Sequence, residues 1–319
     1  MATIESVTGP LDDNELGVTL IHEHLLARDE AVALQWPHVH DDDALMDAAV
    51  DEARRVMDAG VKTIGDPTAM LLGRDVPFMA RVAERTGLQV IACTGIYSYD
   101  SLPFYWANRS EDAMADAFVH DIEQGIQRTD IKAAFLKCAA DEPGVTPNIE
   151  KIHRACARAS LRTGAPIMAH SRPASQTGIR QIEIFEEEGV DLGRVQVAHT
   201  GDTDDLDYIE RLLEKGVFVG MDRYGLEMFL PAERRNATVL ALLERGYADR
   251  IFISQDYCAS IDWFPAEAAE QLVAAGLIDE DWSMTLVFEK VFPALREGGM
   301  TDAQLTTMLE ENPKRWLGG

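Results

Sequence analysis

The chain has 319 residues and carries 55 acidic side chains against 29 lysines and arginines, a formal net charge of -26. That balance excludes nucleic acid and anionic membrane surfaces as partners, because no basic patch could neutralise phosphates. No stretch of about 18 apolar residues exists and no cationic, then apolar, leader opens the chain, so a cytoplasmic protein with reduced thiols is expected. Cys93, Cys138, Cys156 and Cys258 are widely spaced and form no C-x-x-C pair.

Short apolar runs alternate with amphipathic stretches along the chain. Eight strands are predicted: Gly17–Leu25, Val61–Asp66, Gln89–Tyr97, Ile131–Cys138, Ala165–His170, Arg194–His199, Val217–Asp222 and Arg250–Asp256. Each is nearly continuous in apolar residues, as parallel strands covered on both faces are. Helical stripes lie between them, such as Leu45, Ala49, Ala53 and Val56, then Leu206, Ile209, Leu212 and Leu213. Gly60, Gly87, Gly164, Gly189, Gly216 and Gly246 end amphipathic runs as helix-terminal glycines do. Strand–helix alternation repeated eight times predicts one (β/α)8 (TIM) barrel domain over residues 1–319, with a doubly wound open sheet as the alternative.

The strand ends carry the chemistry. His22 and His24 close the first strand, Lys137 the fourth, His170 the fifth, His199 the sixth and Asp256 the eighth. Carboxyl ends of barrel strands are where such folds build active sites. Residues two apart in a strand face one side, so His22 and His24 can grip one cation. Four imidazoles, a carboxylate and a lysine read as a two-metal hydrolytic centre. Lys137, amid cations, is driven toward its neutral amine and could capture carbon dioxide as a carbamate. Periodicity alone equally admits a solvent-facing lysine on the barrel rim. His38, His40, His120 and His153 lie in loops or helices and are read as structural. The connection after strand seven is short. The one after strand eight, from Tyr257 to about Trp282, is long and apolar, as a substrate-binding lid would be.

The pieces Thr19-Leu20-Ile21-His22-Glu23-His24, Lys137, His170-Ser171, His199-Thr200-Gly201-Asp202, Asp222-Arg223-Tyr224-Gly225 and Asp256-Tyr257-Cys258 together resemble the phosphotriesterase family of the amidohydrolase superfamily over essentially the whole length. Thr94-Gly95-Ile96-Tyr97-Ser98-Tyr99 and Ile261-Asp262-Trp263 resemble its lactonase branch. The resemblance implies two divalent metals, zinc first, with cobalt, iron or manganese as alternatives. His22, His24 and Asp256 would hold the buried ion, His170 and His199 the exposed one, and a carboxylated Lys137 would bridge them.

It implies hydrolysis of N-acyl-homoserine lactones with secondary phosphotriesterase activity. In that reading Asp256, Tyr97 and Lys137 do the chemistry, and Tyr97, Tyr99, Arg223, Cys258 and Trp263 meet the substrate. A primary phosphotriesterase and a non-catalytic binding barrel are the rival readings. Asp202 and Gln255 are expected just behind the metal ligands. Gln255 cannot titrate, so a proton relay from Asp256 to Asp202 through position 255 is in doubt, and Asp256 would pass its proton to water. A homodimer is expected from the resemblance.

Overall fold

The computed structural model describes residues 2–319. A short antiparallel hairpin opens it, strand β1 (Thr3–Ser6) pairing with β2 (Gly9–Asp12). Eight parallel strands follow: β3 (Thr19–Leu20), β4 (Thr63–Asp66), β5 (Gln89–Gly95), β6 (Phe135–Ala139), β7 (Ile167–His170), β8 (Val195–Ala198), β9 (Phe218–Met221) and β10 (Ile251–Ile253). Each pairs with the next in chain order. Beyond the regular strands, the His24 and Tyr257 segments and the Ala27 and Ser260 segments exchange backbone hydrogen bonds at 2.8 and 2.9 Å, drawing the last strand to the first. The eight-stranded barrel expected from the alternation is borne out, and the open sheet is not.

The helices begin and end as their sequences dictate. The helix Leu206–Leu213 starts on Asp205, whose side chain accepts the Tyr208 amide, and Pro147–Thr163 starts on Thr146 and stops at Gly164 in the left-handed conformation. Two cores result. One lies between the sheet and the helices, with Ile64, Val82, Ile152, Phe185, Leu212 and Leu242 among its members. The other fills the barrel lumen with Ile91, Phe135, Met168, Phe218, Phe252 and Trp316. Trp316, from the C-terminal helix Asn312–Gly318, sets its ring centroid 5.5 Å from that of Phe135, tilted, and 5.8 Å from that of Phe252, edge-on. It plugs the amino end of the lumen.

Three expectations change. The first strand is regular only over Thr19–Leu20, not to Leu25, and the eighth stops at Ile253, not at Asp256. Both are followed by bridged, irregular backbone that leaves the sheet to form the site. The long connection after β10 is not one loop: it carries the helix Ala266–Ala274. The amino-terminal hairpin went unpredicted, since four-residue strands around Gly9 leave too short a pattern to see. No helix among the described residues is long and apolar enough to cross a membrane.

Candidate metal centre and active site

The six candidate ligands converge at the carboxyl end of the barrel. Asp256 Oδ1 lies 3.1 Å from His24 Nε2 and 3.2 Å from His22 Nε2, and its Oδ2 lies 3.8 Å from His199 Nε2. Lys137 Nζ is 3.2 Å from His22 Nε2. The His170 ring stands edge-on to His199 with centroids 4.4 Å apart. One donor atom each from His22, His199 and Asp256 falls within a 4.8 Å cluster able to hold an ion. That trio crosses the division expected from the resemblance, which set His199 with His170.

Each imidazole is tied by one nitrogen and turns the other inward. Asp222 Oδ2 takes His22 Nδ1 at 2.8 Å and Asp222 Oδ1 takes His199 Nδ1 at 3.0 Å. Thr68 Oγ1 lies 2.7 Å from His24 Nδ1, and Asp141 Oδ2 lies 2.8 Å from His170 Nε2. Such outer partners fix the tautomer and aim the free lone pair at a metal. His199 Nε2 is buried and has no hydrogen-bond partner among the described residues, an arrangement that costs free energy unless a ligand completes it. Burial pulls His199 well below its ordinary range and His170 down to about 4, against the pull of Asp222 and Asp141. Imidazoles that turn one nitrogen inward beside a carboxylate fit divalent metal ions.

Lys137 belongs to this centre and not to the rim. Its side chain is 1 % exposed, and Nζ meets His22 Nε2 and the Met168 sulfur at 3.2 Å each. Burial lowers its ammonium to about 8, opposed by Asp256 and Asp222. The approach of β6 to β5 depends on Gly95: at φ 132° it lies against the Lys137 carbonyl, which a Cβ would meet at 1.9 Å.

Asp256 sits in left-handed backbone, φ 53°, as does His199 at 63°. Conformations of that kind, held at a site by surrounding contacts, cost on the order of 1–3 kcal/mol each. Burial would raise the Asp256 carboxyl, but His22 and His199, the hydrogen bond from His24, and Arg223 hold it well below the usual carboxylate range.

The link between Asp256 and Asp202 is made by Arg223. Its Nε donates to Asp256 Oδ2 at 3.0 Å and its Nη1 to Asp202 Oδ2 at 3.0 Å. Gln255 turns away, its Nε2 donating to the Met284 carbonyl at 2.7 Å. Behind Asp202 lies Arg235, 0 % exposed, which donates to Asp202 Oδ1 at 3.1 Å and to the Gly201 carbonyl at 2.8 Å. Arg235→Met would leave Asp202 paired with Arg223 alone and the Gly201 carbonyl without its donor, and is expected to cost about 1–3 kcal/mol of stability, read as a fall in the chemical denaturation midpoint.

Above the ligands a cavity of about 260 Å³ opens, walled by Leu72, Leu226, Met228, Phe229, Leu272 and Ile278. Tyr97, Tyr99, Arg223, Cys258 and Trp263 all line it. Tyr97 OH sits 2.8 Å from Tyr99 OH and 3.3 Å from His170 Nδ1, and the Tyr97 and Trp263 rings are 5.8 Å apart. Burial pushes the Tyr97 phenol well above its ordinary range, so it stays a hydroxyl donor.

Asp222, Asp141 and Thr68 were not assigned roles from the sequence. Asp222 ends a predicted strand and could have been suspected on that ground. Asp141 and Thr68 lie past their strands, and only folding brings them to their histidines.

The phosphotriesterase family model matches residues 2–317. The chain is 48% identical over 307 residues to an aryldialkylphosphatase of Saccharolobus solfataricus, spanning 96% of each protein. It is 41% identical over 323 residues to a phosphotriesterase homology protein of Mycobacterium tuberculosis, spanning 99% of this chain and 97% of the relative. The solved phosphotriesterase from Mycobacterium tuberculosis superposes with a TM-score of 0.93 at 40% identity, covering 99% of this chain and 98% of that one. With a motif set, a barrel and a full-length match in agreement, the chain belongs to the phosphotriesterase family.

Proposed function

We propose that this chain is a metal-dependent hydrolase that opens the ring of N-acyl-homoserine lactones and attacks phosphotriesters as a secondary activity. The observation that carries the reading is the set of four imidazoles, each held by its outer nitrogen, facing Asp256 and Lys137 under an apolar cavity. His22, His24, His170, His199, Asp256 and a carboxylated Lys137 would hold two divalent ions, zinc foremost. When bound, such ions supply Lewis acidity and acidify the attacking water.

The chain's own groups do the rest. The Tyr97 hydroxyl, kept protonated by burial, donates to the substrate carbonyl oxygen as charge develops there. Asp256 Oδ2, steadied by Arg223 Nε, takes a proton from the attacking water and passes it to the departing ring oxygen, giving a hydroxy acid. The acyl chain lies along Leu226, Leu272 and Ile278, with Trp263 beside Tyr97 as an aromatic wall.

The apolar wall built by the helix-bearing connection after β10 favours a substrate with a long aliphatic arm. Primary phosphotriester hydrolysis is the second reading, favoured by the name of the Saccharolobus solfataricus relative, aryldialkylphosphatase. Comparing kcat/KM for an acyl-homoserine lactone and an aryl dialkyl phosphate separates them. The lactone is expected to lead; a phosphotriester preference would reverse the assignment.

A further inference from the structure

Glu23 lies between His22 and His24, and its side chain is taken up by the segment that follows β10. It is 0 % exposed, and a buried carboxylate needs partners. Its partners are two backbone amides: Oε1 accepts from Gln255 N at 2.9 Å and Oε2 from Tyr257 N at 3.0 Å. Those residues flank Asp256 on either side. The Asp256 amide itself donates to the His22 carbonyl at 3.2 Å, so three successive amides after β10 are all received by the His22-Glu23 segment.

Asp256 occupies left-handed backbone, which a non-glycine residue holds only when its surroundings impose it. Glu23 holds the Tyr257 amide, in the peptide plane after the Asp256 Cα, the His22 carbonyl holds the Asp256 amide, in the plane before it, and the Gln255 amide anchors to Glu23 the plane one further back. The Asp256 side chain then leaves the backbone toward His22 and His24, whose Nε2 atoms lie 3.2 and 3.1 Å from Oδ1. One tripeptide thus presents two imidazoles on one face and, with its middle side chain, aims the carboxylate that meets them.

We infer that Glu23 is a positioning residue for metal binding: it sets the backbone of Asp256 and, through it, the geometry of the ligand set. The inference rests on Asp256 being a metal ligand, as proposed above. Glu52 provides a comparison, since its Oε1 caps another buried amide, that of Met284, at 2.7 Å, without touching the neighbours of Asp256.

The test equilibrates the metal-free full chain with Co²⁺ and records ions bound per chain, affinity, the visible absorption of the bound cobalt, kcat, KM and the melting temperature. Glu23→Gln is expected to weaken cobalt binding about 10–100-fold, as loss of outer support does, and to shift the visible bands. Its kcat should fall while KM stays within about threefold. Glu23→Asp, which keeps the charge on a shorter arm, should recover part of the affinity. Glu52→Gln should lower the melting temperature and leave the cobalt bands in place. Glu23→Gln with the unaltered chain's affinity and bands, or with a loss confined to melting temperature, overturns the inference. So would insoluble protein from both Glu23 variants, which would assign the residue to barrel integrity. Failure of the unaltered chain to bind cobalt would instead defeat the reading of the site.

Discussion

Asp256→Asn is expected to reduce turnover by at least about three orders of magnitude, since several kcal/mol of transition-state stabilisation depend on the metal site and each 1.36 kcal/mol is tenfold in rate. The substitution is nearly isosteric but removes the charge that faces His22, His24 and Arg223 at 3.0 to 3.2 Å. It also puts an amide nitrogen where one of those donors now points, and it ends proton transfer at Oδ2. The fold should survive, because the backbone contacts of residue 256 do not involve its side chain. Steady-state kinetics beside metal analysis of the purified variant provide the check. Turnover within tenfold of the unaltered chain, at full metal loading, would remove Asp256 from the chemistry. His22→Ala is expected to act in the same direction, and it also leaves Asp222 with one imidazole instead of two.

Lys137→Ala is expected to lose nearly all activity and to regain part of it with propionate. The reason lies in the side chain's surroundings. An ammonium enclosed by the barrel, with a thioether and an imidazole for neighbours, is poorly solvated, so burial draws it toward the neutral amine, to about 8. A neutral amine adds to carbon dioxide through nitrogen, releases one proton, and becomes an anionic carbamate that offers two oxygens to metal ions. A short carboxylate entering the space left by Lys137→Ala supplies the same two oxygens. Rate as a function of propionate concentration is the measurement, with acetamide as the uncharged comparison. Equal recovery with both, or none with either, would show that Lys137 is not carboxylated in the active chain.

Much of the site was legible because its ligands obey a local rule. His22, Lys137, His170 and His199 each close an apolar run, and period-two alternation is enough to turn such residues into a barrel mouth. Tyr97, Cys258 and Trp263 could be placed near the mouth because they follow the same strands. The hairpin Thr3–Ser6 with Gly9–Asp12 could not be seen, its strands being too short to show a period. Gln255, expected just behind the ligands and unable to titrate, sends its side chain toward Met284, while Arg223 from the end of another strand takes the place beside Asp256.

The sequence by itself determined the barrel and the identity of the inward-facing donors, since both follow from patterns a few residues long. The tertiary structure alone decided which acceptor steadies each donor: Asp222 serves two histidines from different strands, Asp141 a third, Thr68 the fourth, and Glu23 reaches across 232 residues to the amide before Asp256. A hydrogen bond forms only within about 3 Å, and separation along the chain carries no information about which distant strands will be neighbours. Closing the barrel made them so.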